Sequence, residues 1–341
     1  WEIVNKMNLG VELGFLNGMI DLQLDYFDER RKDIFMPRES VPMTAGFMKQ
    51  PWKNFGKVTN QGVEVSLNVN KQFGKDLFVS LMGTFTYAHN EITEKDEPSA
   101  VVGTNRAETG HPVGQLTGYI AEGLFTEDDF EDVSTGKLKE GIPTQSFVSK
   151  LRPGDIRYRD VNGDGKVDVF DKSPIGGTKD PEIVYGFGLN MKYKDLDFGV
   201  LFQGIGRSWN ILGSSIIPGA NRGVTGNMFT NANDRWTVDN PSQNVFYPRL
   251  DDGINSNNNQ SSTWWLRNMS FLRLKNIELG YSLPKSLWRN TTVISGIRLF
   301  VRGTNLLTFS KFDLWDPEVE NTTGAAYPIM KSLSAGFEIK F

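Results

Sequence analysis

Cysteine is absent from the 341 residues, which excludes disulfides, thiolate metal centres and cysteine nucleophiles. Histidine is scarce: only His89 and His111 occur, and neither stands in an HExxH-like spacing. No stretch approaches the ~20 apolar residues of a membrane helix, so a helical membrane protein is excluded. A membrane β-barrel stays open, because only alternate strand residues must face lipid. Lys/Arg-rich runs are missing too. The 37 basic and 41 acidic residues are interspersed for a net charge of −4, so no nucleic acid is expected as a partner. Long Ala/Leu/Glu/Lys runs are also lacking, while Gly, Asn and aromatic residues abound, which favours strands and turns. The chain opens on Trp1 with no apolar leader, so the expectation is a processed or partial chain whose targeting segment lies upstream.

What is present is alternation. About nine strands stand out. Asn8–Phe15 carries Leu9, Val11, Leu13 and Phe15 on one face, and Met19–Tyr26 carries Ile20, Leu22, Leu24 and Tyr26. Val63, Val65, Leu67 and Val69 mark a third, and Leu77–Tyr87 a fourth. Ile183–Met191, Leu196–Phe202, Phe271–Leu283, Ile297–Arg302 and Leu333–Phe341 complete the set. The connections alternate in length. Leu16–Gly18, Asn70–Asp76, Tyr193–Asp195 and Pro284–Asn290 are short; Arg30–Asn60, Asn90–Pro181, Arg207–Asn268 and Asn305–Lys331 are long. A soluble sandwich has no reason to keep all its long loops at one end. An outer-membrane barrel does, with short periplasmic turns and long extracellular loops. The expected fold is therefore all-β, an antiparallel transmembrane β-barrel. About nine strands are too few to surround a cargo-sized lumen, and an odd number fits no single-chain bacterial barrel, so the chain reads as an arc of a larger wall.

The last strand places Leu333, Ala335, Phe337, Ile339 and Phe341 on one face and ends on an aromatic residue. Tyr26, Phe27, Phe85, Tyr87, Tyr193 and Tyr281 lie near strand ends, where interfacial girdles place amphipathic rings. Gly186, Gly188, Gly204 and Gly206 fall in or beside strands with no helix following, and read as close-packed strand or turn positions, not a phosphate loop.

One segment carries metal chemistry. Asp160, Asn162, Asp164, Asp168 and Asp171 occupy positions 1, 3, 5, 9 and 12 of an EF-hand-type loop, with Gly165 at position 6 and the Lys166 carbonyl at position 7. Hard Ca²⁺ needs six to eight oxygens, and this loop offers most of them within a dozen residues. Asp in place of Glu at position 12 has a shorter reach. No amphipathic helices flank the loop, so the expectation is a structural calcium ion stiffening a loop, with an unmetallated Asx-rich turn as the alternative. No catalytic residue and no organic cofactor are expected; Glu127–Asp129 with Glu131 and Asp132 read as a solvated loop face.

Several ordered motifs resemble one family. They are Gly62-Val63-Glu64, Gly110-His-Pro-Val-Gly114, Gly118-Tyr119, Glu122-Gly-Leu-Phe125, Pro153-Gly-Asp-Ile-Arg-Tyr158 running into the calcium-type loop, Ile175-Gly176 and Tyr185-Gly-Phe-Gly-Leu189. Phe202-Gln-Gly204, Arg235-Trp236, Tyr247-Pro-Arg249, Trp265-Leu-Arg267, Phe271-Leu-Arg-Leu-Lys-Asn276, Gly280-Tyr-Ser-Leu-Pro284, Asn305-Leu-Leu-Thr-Phe309 and Asp316-Pro-Glu318 follow. Together they resemble the C-terminal barrel portion of SusC/RagA-type TonB-dependent transporters of the Bacteroidetes. The resemblance implies a roughly 22-stranded barrel in the bacterial outer membrane, the size class that holds a plugged lumen. It also implies a plug and a TonB-interacting segment outside this chain, and a SusD-like surface lipoprotein seated as a lid. The implied activity is active import of oligosaccharide or peptide. Segments 91–182, with the calcium-type motif, and 208–270 would be the long extracellular loops that meet lid and cargo. Two other readings remain: a soluble or surface calcium-binding, glycan-binding β-module, and a siderophore-type receptor that shares the fold but not these motifs.

Overall fold

In a computed structural model the described residues are 1–341 except 214–215, 217–228, 252, 254, 289–292 and 320–321. Nine long strands form one antiparallel sheet in strict chain order. They are β1 (Ile3–Phe15), β2 (Ile20–Pro37), β3 (Trp52–Phe73), β4 (Leu77–Glu94), β5 (Ile183–Tyr193), β6 (Leu196–Gly206), β7 (Phe271–Ser282), β8 (Gly296–Ser310) and β9 (Ser332–Lys340). β1 and β9 are the two edges and do not pair with each other, so the sheet is an open arc.

The register collects the apolar residues of every strand on one face. Leu24 lies opposite Val11 and Val65, Val65 opposite Phe85, and Phe85 opposite Tyr185. Farther along, Leu189 faces Val200, Val200 faces Ile277, and Leu299 faces Phe337. Because side chains alternate with a period of two, the other face takes the polar partners. The apolar face is open: Leu9 is 65% exposed, Leu333 75% and Phe337 70%. Water would not tolerate so continuous an apolar surface on a soluble monomer.

Both ends of this face carry aromatic rows. Tyr26, Val63, Tyr87 and Ile183 share one level; Leu77, Tyr193, Leu196, Tyr281, Leu299 and Phe337 share the other. The separation is the length of β5, 11 residues, or roughly 33 Å along a strand at ~3.3 Å per residue. At a barrel tilt of 35–45° that is about 25 Å, the height of the apolar band in outer-membrane barrels. Phe27 departs from the expected girdle: its parity puts it on the polar face, packed over Gly62.

The strands outrun the expected ones at the long-loop end. Most of the supposed connection Arg30–Asn60 is strand, leaving only 38–51 outside it. The Arg30-Arg31-Lys32 run broke the apolar alternation and read as loop. Backbone pairing continues regardless, because above the apolar band a polar residue on either face costs nothing. Asp33, with φ 58, sits in the bulge between Arg31 and Ile34. His89, two residues past the expected strand end at Tyr87, likewise stands on β4, with its Nδ1 2.6 Å from Glu182 Oε1. β8 runs to Ser310 past a bulge at Asn305 (φ 54) opposite Lys275, which hid the second half of the strand.

At the other end the turns are tight. Leu16 and Asn17 take φ of 53° and 58°, followed by Gly18 at 80°, and Lys194 takes φ 53 in the β5–β6 hairpin. These left-handed positions suit the twist of two-residue and slightly longer hairpins. The alternation of short turns and longer connections holds along most of the sheet, but the β7–β8 connection, expected as Pro284–Asn290, runs 283–295 and is nearly as long as the β2–β3 connection at 38–51.

Candidate functional site

The polar face of the wall is the first element of the site. Within the apolar band charged residues sit on this face, among them Glu12, Asp21, Asp25, Glu64, Lys192, Asp197, Arg273, Glu278, Arg298 and Arg302. Lys71 is the exception. It lies at the edge of the band, with its ammonium 4.9 Å from the Phe73 ring centre, where a lysine can snorkel to water. On the polar face Arg298 Nε donates to Asp197 Oδ1 at 2.9 Å, and Arg302 Nε to Glu278 Oε2 at 2.5 Å. Gly280 leaves the gap through which the Arg298 guanidinium reaches Asp197; a Cβ there would collide with both.

The second element is a folded body made by the long connections. The main buried core lies there and not in the wall. Tyr119, Ile156, Tyr158 and Val167 come from the β4–β5 connection, Trp236, Tyr247, Trp265 and Met269 from the β6–β7 connection, and Phe312 from the β8–β9 connection. Gly154 (φ 86) lets the chain turn beneath the Trp236 ring, which would collide with any Cβ there.

A buried polar network ties two of these connections together. Asp155, fully buried, accepts through Oδ1 from Arg249 Nε (3.0 Å), Asn255 Nδ2 (3.0 Å) and Asn258 Nδ2 (3.1 Å), and through Oδ2 from the Arg152 amide (2.9 Å). Burial pushes the Asp155 carboxyl above the usual range, while the Arg249 charge pulls it down. Gln145 donates to Asn257 Oδ1 (2.6 Å) and accepts the Tyr158 amide (2.6 Å); the Tyr158 hydroxyl donates to the Asn257 carbonyl (2.8 Å). The Trp265 indole closes the set on the Asn258 carbonyl (2.7 Å). Sequence reasoning missed this body. Its signals were the Pro153-Gly-Asp155 turn, which stood out only as part of a family motif, and the Asn-rich 255–259 run, which was not singled out.

The calcium-type loop lies on this body, with Val167 at its eighth position fully buried in the core. Its side chains wind the backbone. Asp160 accepts the Gly163 and Gly165 amides (2.7 Å each), Asn162 Oδ1 the Asp164 amide (3.0 Å), and Asp164 Oδ1 the Lys166 amide (3.0 Å). Asp168 pairs with the Lys166 ammonium (2.9 Å) and caps Phe170 (2.9 Å). Those amide and ammonium partners hold the Asp168 carboxyl below its usual range. Asp171, fully buried, accepts the amides of Val161 (2.8 Å) and Asp168 (2.8 Å). The all-oxygen donor set suits a hard cation. In this geometry, though, Asp171 is engaged as an anchor. Among the described residues no three acidic or histidine side chains converge on one point. The loop brings Asp160, Asn162 and Asp164 onto one turn, and leaves Asp168 with Lys166 and Asp171 beneath.

An apolar outer band between aromatic rows, a charged inner face and outward-reaching loops define the wall of an outer-membrane β-barrel. A family model described as TonB dependent receptor-like, beta-barrel matches residues 1–306. The chain belongs to that family, whose SusC and RagA members are outer-membrane proteins. It is 25% identical over 367 residues to TonB-dependent receptor P3 of Formosa agariphila, covering 100% of this chain and 34% of that protein. It is 27% identical over 348 residues to TonB-dependent receptor SusC of Bacteroides thetaiotaomicron, covering 100% and 32%. Among solved structures, one described as the RagAB peptide transporter superposes with a TM-score of 0.73 at 27% identity, covering 100% of this chain and 35% of that one. The chain spans about a third of the length of the curated relatives it matches.

Proposed function

We propose that this chain is a section of the wall and extracellular mouth of an active importer for a large nutrient, an oligosaccharide or a peptide. The carrying observation is the segregation of faces: lipid-compatible residues outside, and ion pairs such as Asp197–Arg298 inside. Energy coupling through TonB would come from parts of the protein outside this chain. A SusD-like lipoprotein would seat on the loop body formed by segments 91–182 and 208–270, which a packed core makes firm enough to hold a partner. The relatives named for SusC and the RagAB peptide transporter support this reading. Nothing in it requires covalent chemistry on the cargo. Extraction of the native protein from outer membranes is expected to bring down a surface lipoprotein in a stable complex. Recovery of the native protein in the soluble periplasmic fraction would rule the importer out and favour the soluble β-module.

The same reading includes a structural Ca²⁺ in the 160–171 loop. Asp160, Asn162, Asp164 and Asp168 would supply side-chain oxygens, Lys166 its carbonyl, and Asp171 would have to release an amide to join them. Chelation, Asp160→Ala or Asp164→Ala is then expected to speed proteolysis within the loop several-fold and leave barrel assembly intact. Identical cleavage with and without chelator would argue for a bare Asx turn. The lowered Asp168 pKa sets the acid limit: its ion pair contributes above the ordinary Asp value of 3.8 and is lost as the pH falls below it.

A further inference from the structure

The chain holds two Asn-Gly steps, Asn17-Gly18 and Asn162-Gly163. Such a step is chemically weak, because the glycine nitrogen can attack the asparagine Cγ with no Cβ of its own in the way. The two steps have different surroundings. Asn17 (φ 58) and Gly18 (φ 80) form the β1–β2 turn, closed by strands that are paired up to Phe15 and Ile20. Among the described residues no carboxylate accepts the Gly18 amide, and no amide donates to the Asn17 carboxamide.

At Asn162 both reacting groups are engaged. The Gly163 N–H donates to Asp160 Oδ1 at 2.7 Å, so a carboxylate draws on the proton that this nitrogen must shed. Asn162 Oδ1 accepts the Asp164 amide at 3.0 Å, which polarises Cγ and meets the negative charge that would build on that oxygen. The loop then repeats the pattern. Gly165 donates to Asp160 Oδ2 at 2.7 Å, and Asp164 Oδ1 accepts the Lys166 amide at 3.0 Å. In the second copy the group under attack is a carboxylate, a poor electrophile; only the first copy carries an amide. Asn162 and Gly163 are exposed, and a Cβ built on Gly163 would meet nothing within 4 Å. The turn therefore has room for ring closure.

We infer that Asn162-Gly163 is a site of spontaneous imide formation, which converts Asn162 to aspartate and isoaspartate. The Gly163 nitrogen bonds to Asn162 Cγ and the Cγ–Nδ2 bond breaks. The proton shed by Gly163 passes to the departing nitrogen, which leaves as ammonia. One water then opens the ring. Opening at Cγ leaves aspartate; opening at the backbone carbonyl leaves isoaspartate, with the main chain running through the side-chain methylene. No oxidant, reductant or second substrate is needed. Aspartate adds a charge to a loop that already holds Asp160, Asp164 and Asp168. Isoaspartate lengthens the backbone just ahead of Val167, which the core holds fixed. Either product changes the loop permanently and marks the age of the molecule, whatever the transporter carries.

The test is timed peptide mapping of the full-length transporter in detergent at neutral pH, with chelator present so that no cation competes for the Asp160 and Asn162 oxygens. Mass spectrometry follows exchange of NH2 for OH at Asn162 and Asn17, and electron-transfer fragmentation separates isoaspartate from aspartate. A synthetic peptide of residues 158–172 gives the unstructured rate in the same buffer. Asn162 is expected to convert at least as fast in the protein as in the peptide, with isoaspartate among the products, and several-fold faster than Asn17. Asp160→Asn should slow it by about tenfold, the difference between a charged and a neutral acceptor at the reacting nitrogen. Gly163→Ala, whose cost is confined to the left-handed φ of 74°, should slow it as well by placing a methyl group beside that nitrogen. Slower conversion in the protein than in the peptide, aspartate without isoaspartate, or a rate untouched by both substitutions overturns the assignment. The comparison of protein with peptide needs no variant, so it decides the matter even if a substitution unfolds the loop.

Discussion

Replacing Asp155 with alanine is expected to open the loop body while the barrel wall stays assembled. The carboxylate is fully buried and receives four hydrogen bonds, from Arg249, Asn255, Asn258 and the Arg152 amide. Its removal leaves the Arg249 guanidinium with only its outer partner Asp251 (2.8 Å), the Asn258 carboxamide N–H with only the Arg249 carbonyl (3.0 Å), and the Asn255 carboxamide N–H without its acceptor, in a largely buried site. Breaking a buried pair from one side costs about 3–5 kcal/mol, comparable to the whole stability of a small folded unit. Hydrogen exchange of the full-length protein should therefore rise across 119–158 and 236–265, with the β2–β4 amides unchanged. Asp155→Asn retains one acceptor and the shape, so its effect should be smaller. Unchanged protection in Asp155→Ala would mean that the hydrophobic cluster around Trp236 and Tyr247 holds the body alone.

The second large effect separates the two faces of one strand. Leu81 sits midway between the aromatic rows with Val69 and Leu189 as neighbours, whereas Ser80 faces Asn70 and Asn190. Leu81→Arg should destabilise the barrel by about 2–4 kcal/mol, the depth-dependent cost of a cation on the lipid face. Ser80→Arg, one residue away, enters the watery face and should stay within about 0.5 kcal/mol. Heat-modifiable gel mobility of the two variants reads this directly. Similar losses in both would mean that neither face of β4 meets lipid.

The apolar rows, the short turns and the phase of the long connections were legible because a two-residue period and tight-turn residues are local signals. Leu22, Val65 and Phe85 announce the same face that their register later shares. The upper halves of β2 and β3 were not legible. Above the bilayer neither face must be apolar, so Arg30 to Lys32 lose the period while keeping the ladder. The Asn305 bulge erased the phase of β8 for a different reason, one extra residue. The loop body was opaque because its contacts are long-range and aperiodic. Asp155 and Asn258 stand 103 positions apart, and nothing local marks Tyr158 or Trp265 as buried. The calcium-type motif was plain as a pattern, but the engagement of Asp171 by backbone amides depends on how the loop closes.

The wall itself is most directly tested by cysteine scanning: this chain has no native cysteine, and any cysteine elsewhere in the full-length protein would first be replaced by serine. Single cysteines from Leu77 to Tyr87 in the full-length protein, in outer membranes, would be probed with a water-soluble maleimide and a bilayer-dissolved quencher. The account predicts strict alternation. Positions 77, 79, 81, 83, 85 and 87 should respond to the lipid probe, and 78, 80, 82, 84 and 86 to the aqueous one. Uniform aqueous labelling at every position would contradict a membrane wall.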